Sequence, residues 1–196
     1  MLRSPPWCRT LVLGLAVLAT PRGAPAQVEV SLAAENGWFV VPVRVDDGGD
    51  LRFIVDTGAA LSAVTRSTLR RLGVTPGATV RAQGASGVQE LATARIPSLA
   101  LGTLRAFNSR VLVLDEGVLT PDGGGTPYDG VLGADILGNH DVLLDPVSGV
   151  LRLFDPGSAV TTGPLPALSA PLPLRRIAGP ILGHDVEING SVMPAI

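Results

Sequence analysis

Between Val28 and Phe154 the apolar residues come in short runs broken by turn-forming residues, and this rhythm constrains the fold more than any other feature of the chain. Val28, Val30 and Leu32 alternate, Phe39 to Val45 alternates again, and Leu51 to Val55 is a nearly continuous apolar run. Asp46-Asp47-Gly48-Gly49 has the chemistry of a hairpin turn between the last two. A second hairpin is expected over Val80 to Leu91, with a small, flexible tip at Gln83-Gly84-Ala85-Ser86-Gly87 able to move over a cleft. Leu104 to Leu114 reads as a strand, Asp115 to Tyr128 as a polar, glycine-rich loop, and Asp141 to Phe154 as two strands around the turn Pro146 to Gly149. Helix is expected only after Gly58 and after Gly133. In the first of these Thr65 or Ser67 is the cap, Leu69 and Leu72 share a face and Gly73 is the stop. With 24 glycines and 17 prolines, long uninterrupted helices are excluded.

The two ends differ from this body. Residues 1–26 carry Arg3 and Arg9, the apolar run Leu11 to Ala19 and then Ala24-Pro25-Ala26, the pattern of a secretory signal cleaved after Ala26. The run is too short to cross a bilayer, which takes about 20 apolar residues, so no membrane anchor is expected after cleavage. Cys8, the single cysteine, precedes the run, so neither lipidation nor a disulfide is expected, and export without disulfides points to a bacterial periplasm or secretion. Losing Arg3, Arg9 and Arg22 with the signal moves the formal charge from −2 to −5. The basic residues, all arginine, are scattered and not striped, which argues against a nucleic-acid partner. At the other end, residues 156–176 hold five closely spaced prolines and read as a linker. From 177 to 196 a strand, a turn at Asn189-Gly190 and the opening of another strand follow.

Chemistry concentrates where Leu51 to Val55 ends in Asp56-Thr57-Gly58-Ala59. An acid directly after a buried strand is costly to ionise unless donors surround it, and Thr-Gly permits a tight turn that aims backbone N–H groups at the carboxylate. Read alone, the tripeptide is also an ordinary strand-ending turn. Farther on, Tyr128-Asp129-Gly130-Val131-Leu132-Gly133-Ala134-Asp135-Ile136-Leu137 describes a buried strand joined to a short helix, with a neighbour approaching closely at Gly133.

Together these motifs resemble the retropepsin-like aspartic proteases, in particular exported bacterial members with Asp-Thr-Gly-Ala followed later by Gly-hydrophobic-Leu-Gly-x-Asp-x-Leu. The resemblance covers about Trp38 to Phe154. It implies an all-β, closed β-barrel lobe with one or two short helices over residues 27–155. It also implies that Asp56 is the catalytic aspartate, that Thr57, Gly58 and Ala59 support the active-site loop, and that Val131, Leu132 and Gly133 form the strand behind it. Gln83 to Gly87 would be a flap, and Asp135 structural. The activity implied is hydrolysis of peptide bonds in a peptide or protein substrate, with no cofactor and no metal.

Such chemistry needs two carboxylates sharing one proton, and this lobe supplies one. The other is expected from a second copy in a homodimer or from a second repeat. Val186 to Ile196 parallels Val43 to Ile54 with a turn one residue shorter, so residues 177–196 read as the start of a second repeat whose own Asp-Thr-Gly would begin two residues beyond Ile196. The competing class is a catalytically incomplete module of the bacterial envelope that binds peptides or serves dimerisation. Other chemistries find little support. His140 and His184 lack companions at zinc spacing, Gly123 to Gly125 lacks a following Lys, and no Gly-x-Ser-x-Gly elbow occurs.

Overall fold

The computed structural model describes residues 28–46, 48–84 and 87–158, together with the backbone of 175–178, 181–188 and 191–195. The expected signal (1–26) and most of the expected linker lie outside these residues, as do Asp47, Ala85 and Ser86 of the expected turns. Among the described residues no helix is long and apolar enough to cross a membrane.

The strands are β1 (Val28–Ser31), β2 (Ala33–Glu35), β3 (Trp38–Val45), β4 (Asp50–Val55), β5 (Ala63–Thr65), β6 (Thr79–Gly84), β7 (Gly87–Leu101), β8 (Leu104–Leu114), β9 (Gly130–Leu132), β10 (Asp141–Asp145) and β11 (Val150–Phe154). Two short helices interrupt them, α1 (Arg66–Arg71) and α2 (Ala134–Leu137). α1 starts where Thr65 accepts a bond from the Thr68 N–H, and the chain leaves it at Gly73 with φ of 66°, a left-handed turn that glycine makes without strain. Its buried Leu69 packs into the core.

The apolar alternation of 28–32, expected as one strand, forms β1 and ends one residue short of Leu32, where the chain changes partner. β1 pairs with β11, while the Leu32 N–H bonds to the Gly149 carbonyl and the chain passes on to pair β2 with β3. Leu32 stays buried, so the inward pattern persists across a change of partner. β1, β11 and β10 form a small antiparallel sheet.

The larger sheet runs β2-β3-β4-β9-β5-β8-β7-β6, and a further β3–β7 pairing brings it back on itself. Strands β3, β4, β9, β5, β8 and β7 thus form a closed ring of pairings around a core that includes Val41, Val43, Phe53, Val64, Ile96, Val111 and Leu132. Closure removes most of the unpaired edge that an open sheet would expose. β6 and the first part of β7 extend from this ring as a two-stranded ribbon, paired from Thr79↔Ala92 to Gly84↔Gly87.

The segment 115–128 is not wholly the polar loop expected from its composition. It contains a 3-10 turn at Glu116–Leu119, and Leu119 and Tyr128 are buried in a second apolar cluster with Val40, Ile54, Ala63 and Val131. The loop folds inward because the Tyr128 N–H bonds to the Leu119 carbonyl, closing it over these side chains.

Near the end of the chain β12 (Arg175–Ala178), β13 (Ile181–Ile188) and β14 (Ser191–Ala195) form a three-stranded antiparallel sheet. β12 begins at Arg175, inside the stretch expected as linker. The β13–β14 hairpin has the same register as β3–β4, while in β12–β13 a shift between Arg176 and Ala178 departs from β2–β3 beyond the first pair. β3 and β13 each have eight residues. Pairs Glu35↔Trp38, Arg44↔Asp50, Val43↔Leu51 and Val41↔Phe53 correspond to Ala178↔Ile181, Glu187↔Val192, Val186↔Met193 and His184↔Ala195.

Candidate functional site

β4 is hydrogen-bonded on both sides, antiparallel to β3 and parallel to β9, and its Phe53 and Ile54 are buried. Asp56 follows at the point where the strand leaves the sheet, its N–H still bonded to the Leu132 carbonyl at 3.0 Å. The chain then turns so that one carboxylate oxygen, Oδ1, accepts the N–H groups of Gly58 (2.9 Å) and Ala59 (3.2 Å). Two fixed donors offset the loss of water around a half-buried carboxylate and hold it in one orientation. Among the described residues Oδ2 has no hydrogen-bond partner. Thr57 is exposed at the loop's outer edge, and its hydroxyl is likewise unpartnered within the described lobe.

β9 runs directly behind this loop. All three of its residues are buried; Val131 and Leu132 lie beside Ile54 and Val55 on one side, and Val131 beside Ala63 on the other. Gly133 follows where the returning loop crosses it. A Cβ there would stand 2.8 to 2.9 Å from backbone atoms of Leu61, Ala59 and Ser62, which is the close approach expected from the sequence. Gly130 is tighter still, with 2.4 Å to the Ala63 carbonyl oxygen, and nothing local in the sequence marked it.

The far end of the loop is clamped to α2. Ser62, fully buried, donates both its N–H and its hydroxyl to Asp135 Oδ1 at 2.8 Å, and its hydroxyl oxygen accepts the Gly133 N–H at 3.0 Å. The Ala134 N–H completes the tie to the Ala59 carbonyl at 2.8 Å. Asp135 therefore has the structural surroundings its place after Gly133 suggested, but its partner Ser62 was not singled out from the sequence. Ser62→Ala leaves the Gly133 N–H and part of Asp135 without partners. A loss of about 1–3 kcal/mol is expected in denaturant unfolding, with Ser62→Thr intermediate. An unchanged midpoint would remove the clamp from the account.

Asp129 is a second anchor that sequence reasoning left without a role. Its Oδ2 accepts the Arg52 N–H (2.8 Å), its Oδ1 accepts the Thr68 hydroxyl (3.2 Å) and the Arg71 guanidinium, and its own N–H bonds to the Arg52 carbonyl. It joins β4, α1 and β9 at the base of the site. Arg52 in turn lies over the Tyr128 ring, 4.7 Å from its centroid, and pairs with Glu35.

The remaining candidates are placed as follows. Gln83, Gly84 and Gly87 stand at the tip of the β6–β7 ribbon, with Ala85 and Ser86 outside the described residues, and among the described residues no hydrogen bond joins Gln83, Gly84 or Gly87 to the Asp56 loop. Gly123, Gly124 and Gly125 all have positive φ in a loop tip. His140 follows α2, with its Nδ1 buried and unbonded, and among the described residues no three His, Cys, Asp or Glu side chains converge as a metal site.

Residues 41–136 match the sequence profile of a family described as aspartyl protease. No curated protein matches the chain. Among solved structures it is similar to a retropepsin-like aspartic protease from Rickettsia conorii, at 20% identity over 64% of this chain and 88% of that one with a TM-score of 0.44. It is also similar to the retroviral protease-like domain of Ddi1 from Leishmania major, at 21% identity over 60% of this chain and 93% of that one with a TM-score of 0.38. The span similar to the aspartyl protease family contains both the Asp56-Thr57-Gly58-Ala59 loop and the Val131-Leu132-Gly133 strand behind it.

Proposed function

We propose that this chain is one lobe of an aspartic endopeptidase of the bacterial periplasm or exterior, with Asp56 as one carboxylate of a two-aspartate dyad. The observation that carries the reading is the Asp56 carboxylate itself, with one oxygen held by two backbone N–H groups and the other unpartnered. In the dyad the ionised carboxylate takes a proton from water as the water oxygen bonds to the scissile carbonyl carbon. The protonated carboxyl gives its proton to the carbonyl oxygen, and collapse breaks the C–N bond as a proton passes to the departing amine.

The second aspartate comes from a partner copy or from a second repeat. The exposed, unpartnered Thr57 supports either, since it leaves a hydroxyl free to brace a facing loop. The register match between β3-β4 and β13-β14 favours the repeat, because the β3-β4 hairpin is what delivers Asp56.

The test is hydrolysis of casein and of a fluorogenic peptide library by the purified chain from pH 3 to 8, over a wide range of chain concentration. Specific activity that falls on dilution identifies a homodimer; activity only in a chain extended past Ile196, independent of dilution, identifies the repeat. No hydrolysis by either form overturns the protease reading. The single Asp-Thr-Gly among the residues present then favours a peptide-binding or dimerisation module.

A further inference from the structure

Ten arginines have described side chains, and seven of them stand in ion pairs with carboxylates. The three that do not, Arg95, Arg105 and Arg110, all lie on the β7–β8 hairpin. Arg95 and Arg110 are directly opposite each other in the ladder, an arrangement of like charges that is unfavourable unless something negative lies between them. Arg95 donates only to the Asn108 carbonyl, at 3.2 Å. Both arginines line an open depression of about 430 Å³ with Thr75, Gly77 and Thr93. Arg105 lines a different depression, which it shares with Asp50.

The depression lined by Arg95 and Arg110 is also lined by Thr75, Gly77 and Ala78 of the segment between α1 and β6. Bonds from Gly77 N–H to the Thr93 carbonyl (2.6 Å), and from Thr93 N–H and hydroxyl to the Ala78 carbonyl (2.9 and 2.8 Å), form the root of the β6–β7 ribbon. A ligand in this depression therefore touches both the barrel wall and the point where the ribbon springs from it.

We propose that the ribbon root is an oxyanion site, in which Arg95 and Arg110 together bind a carboxylate or phosphate group, and that occupancy ties the 75–78 segment to β7 and β8 and stiffens the ribbon. Two guanidinium forks can take an oxyanion through paired charge-assisted bonds, which one exposed cation cannot. The inference does not depend on catalysis by Asp56.

The test is titration of the purified chain with citrate and, separately, with inorganic phosphate, each against sodium chloride at matched ionic strength, followed by NMR shifts and amide exchange. Saturable binding by citrate alone assigns a carboxylate ligand, and by phosphate alone a phosphate ligand; either supports the site. Arg110→Gln is expected to weaken binding about tenfold, the loss of one charge-assisted bond, and Arg95→Gln with Arg110→Gln to abolish it. Arg105→Gln is expected to bind as the parent does. Arg95→Lys with Arg110→Lys keeps the charge and fold but not the forks, and is also expected to bind weakly. Slower exchange at 79–84 and 87–92 is expected on binding. Equal binding by the parent and both double variants, reproduction of the effect by chloride, or no binding of either anion overturns the site; unchanged exchange overturns the stiffening.

Discussion

Asp56→Asn is expected to lower kcat/KM for peptide hydrolysis by on the order of 10⁴-fold or more while leaving the lobe folded. The amide retains an oxygen that accepts the Gly58 and Ala59 N–H groups, so the loop geometry survives. What it loses is the ability to receive a proton from water and to share one with a second carboxylate, on which both halves of the proposed reaction depend. The comparison that isolates this chemistry is Asp135→Asn. There the carboxylate only accepts bonds from Ser62, and an amide oxygen does the same. One chemical change thus has opposite consequences at two sites: near-complete loss of turnover at Asp56, and a modest change at Asp135. The measurements are turnover of a fluorogenic peptide and the denaturation midpoint for each variant, with unfolding free energies expected within about 1 kcal/mol of the parent at Asp56. Hydrolysis that survives Asp56→Asn would remove Asp56 from the mechanism.

Gly130→Ala is expected to cost about 3 kcal/mol or more, a large part of the stability of a lobe this size. Gly130 sits in β9 between β4 and β5, paired with Phe53 on one side and Val64 on the other. A methyl group there would lie 2.4 Å from the Ala63 carbonyl and 2.7 Å from the Phe53 ring. The ring is itself fully buried and the carbonyl is backbone in a neighbouring strand, so neither can yield without spreading the sheet. Gly117→Ala is the control, since nothing lies within 4 Å of the added carbon. Urea unfolding of the two variants should separate them widely, and matching midpoints would show that β9 is packed more loosely than described.

Legibility in the sequence followed the range of the interaction. β8 occupies the stretch read from its apolar run, Leu104–Leu114, and Thr65 and Gly73 bound α1 as their backbone chemistry dictates. The Asp56 turn was legible for the same reason, because Gly58 and Ala59 are its neighbours in sequence. Ser62 and Asp129 were not, because their roles are made by bonds to Asp135, Arg52, Thr68 and Arg71, partners dozens of residues away that leave no local pattern. Tyr128 was hidden differently. Its loop is rich in Gly, Pro and Asp, and average polarity conceals that Leu119 and Tyr128 fold back onto the sheet. The break at Leu32 escaped because alternation reports which face is buried and not which strand is alongside.

The ring of strands is not uniformly joined. β3 meets β7 through two residue pairs, and β5 meets β9 through two, whereas β7 and β8 share eight. Mechanically the barrel is two leaves, β3-β4-β9 and β5-β8-β7, stapled along narrow seams. The peptide that carries Asp56 leaves one leaf at Val55 and enters the other at Ala63, so it is a strap across a seam. Opening between the leaves costs few backbone bonds and would slacken that strap before either leaf unravels. The bonds of Ser62 to Asp135 and Gly133 lie across this seam, so losing them is expected to loosen the strap that carries Asp56 as well as to lower the stability of the fold.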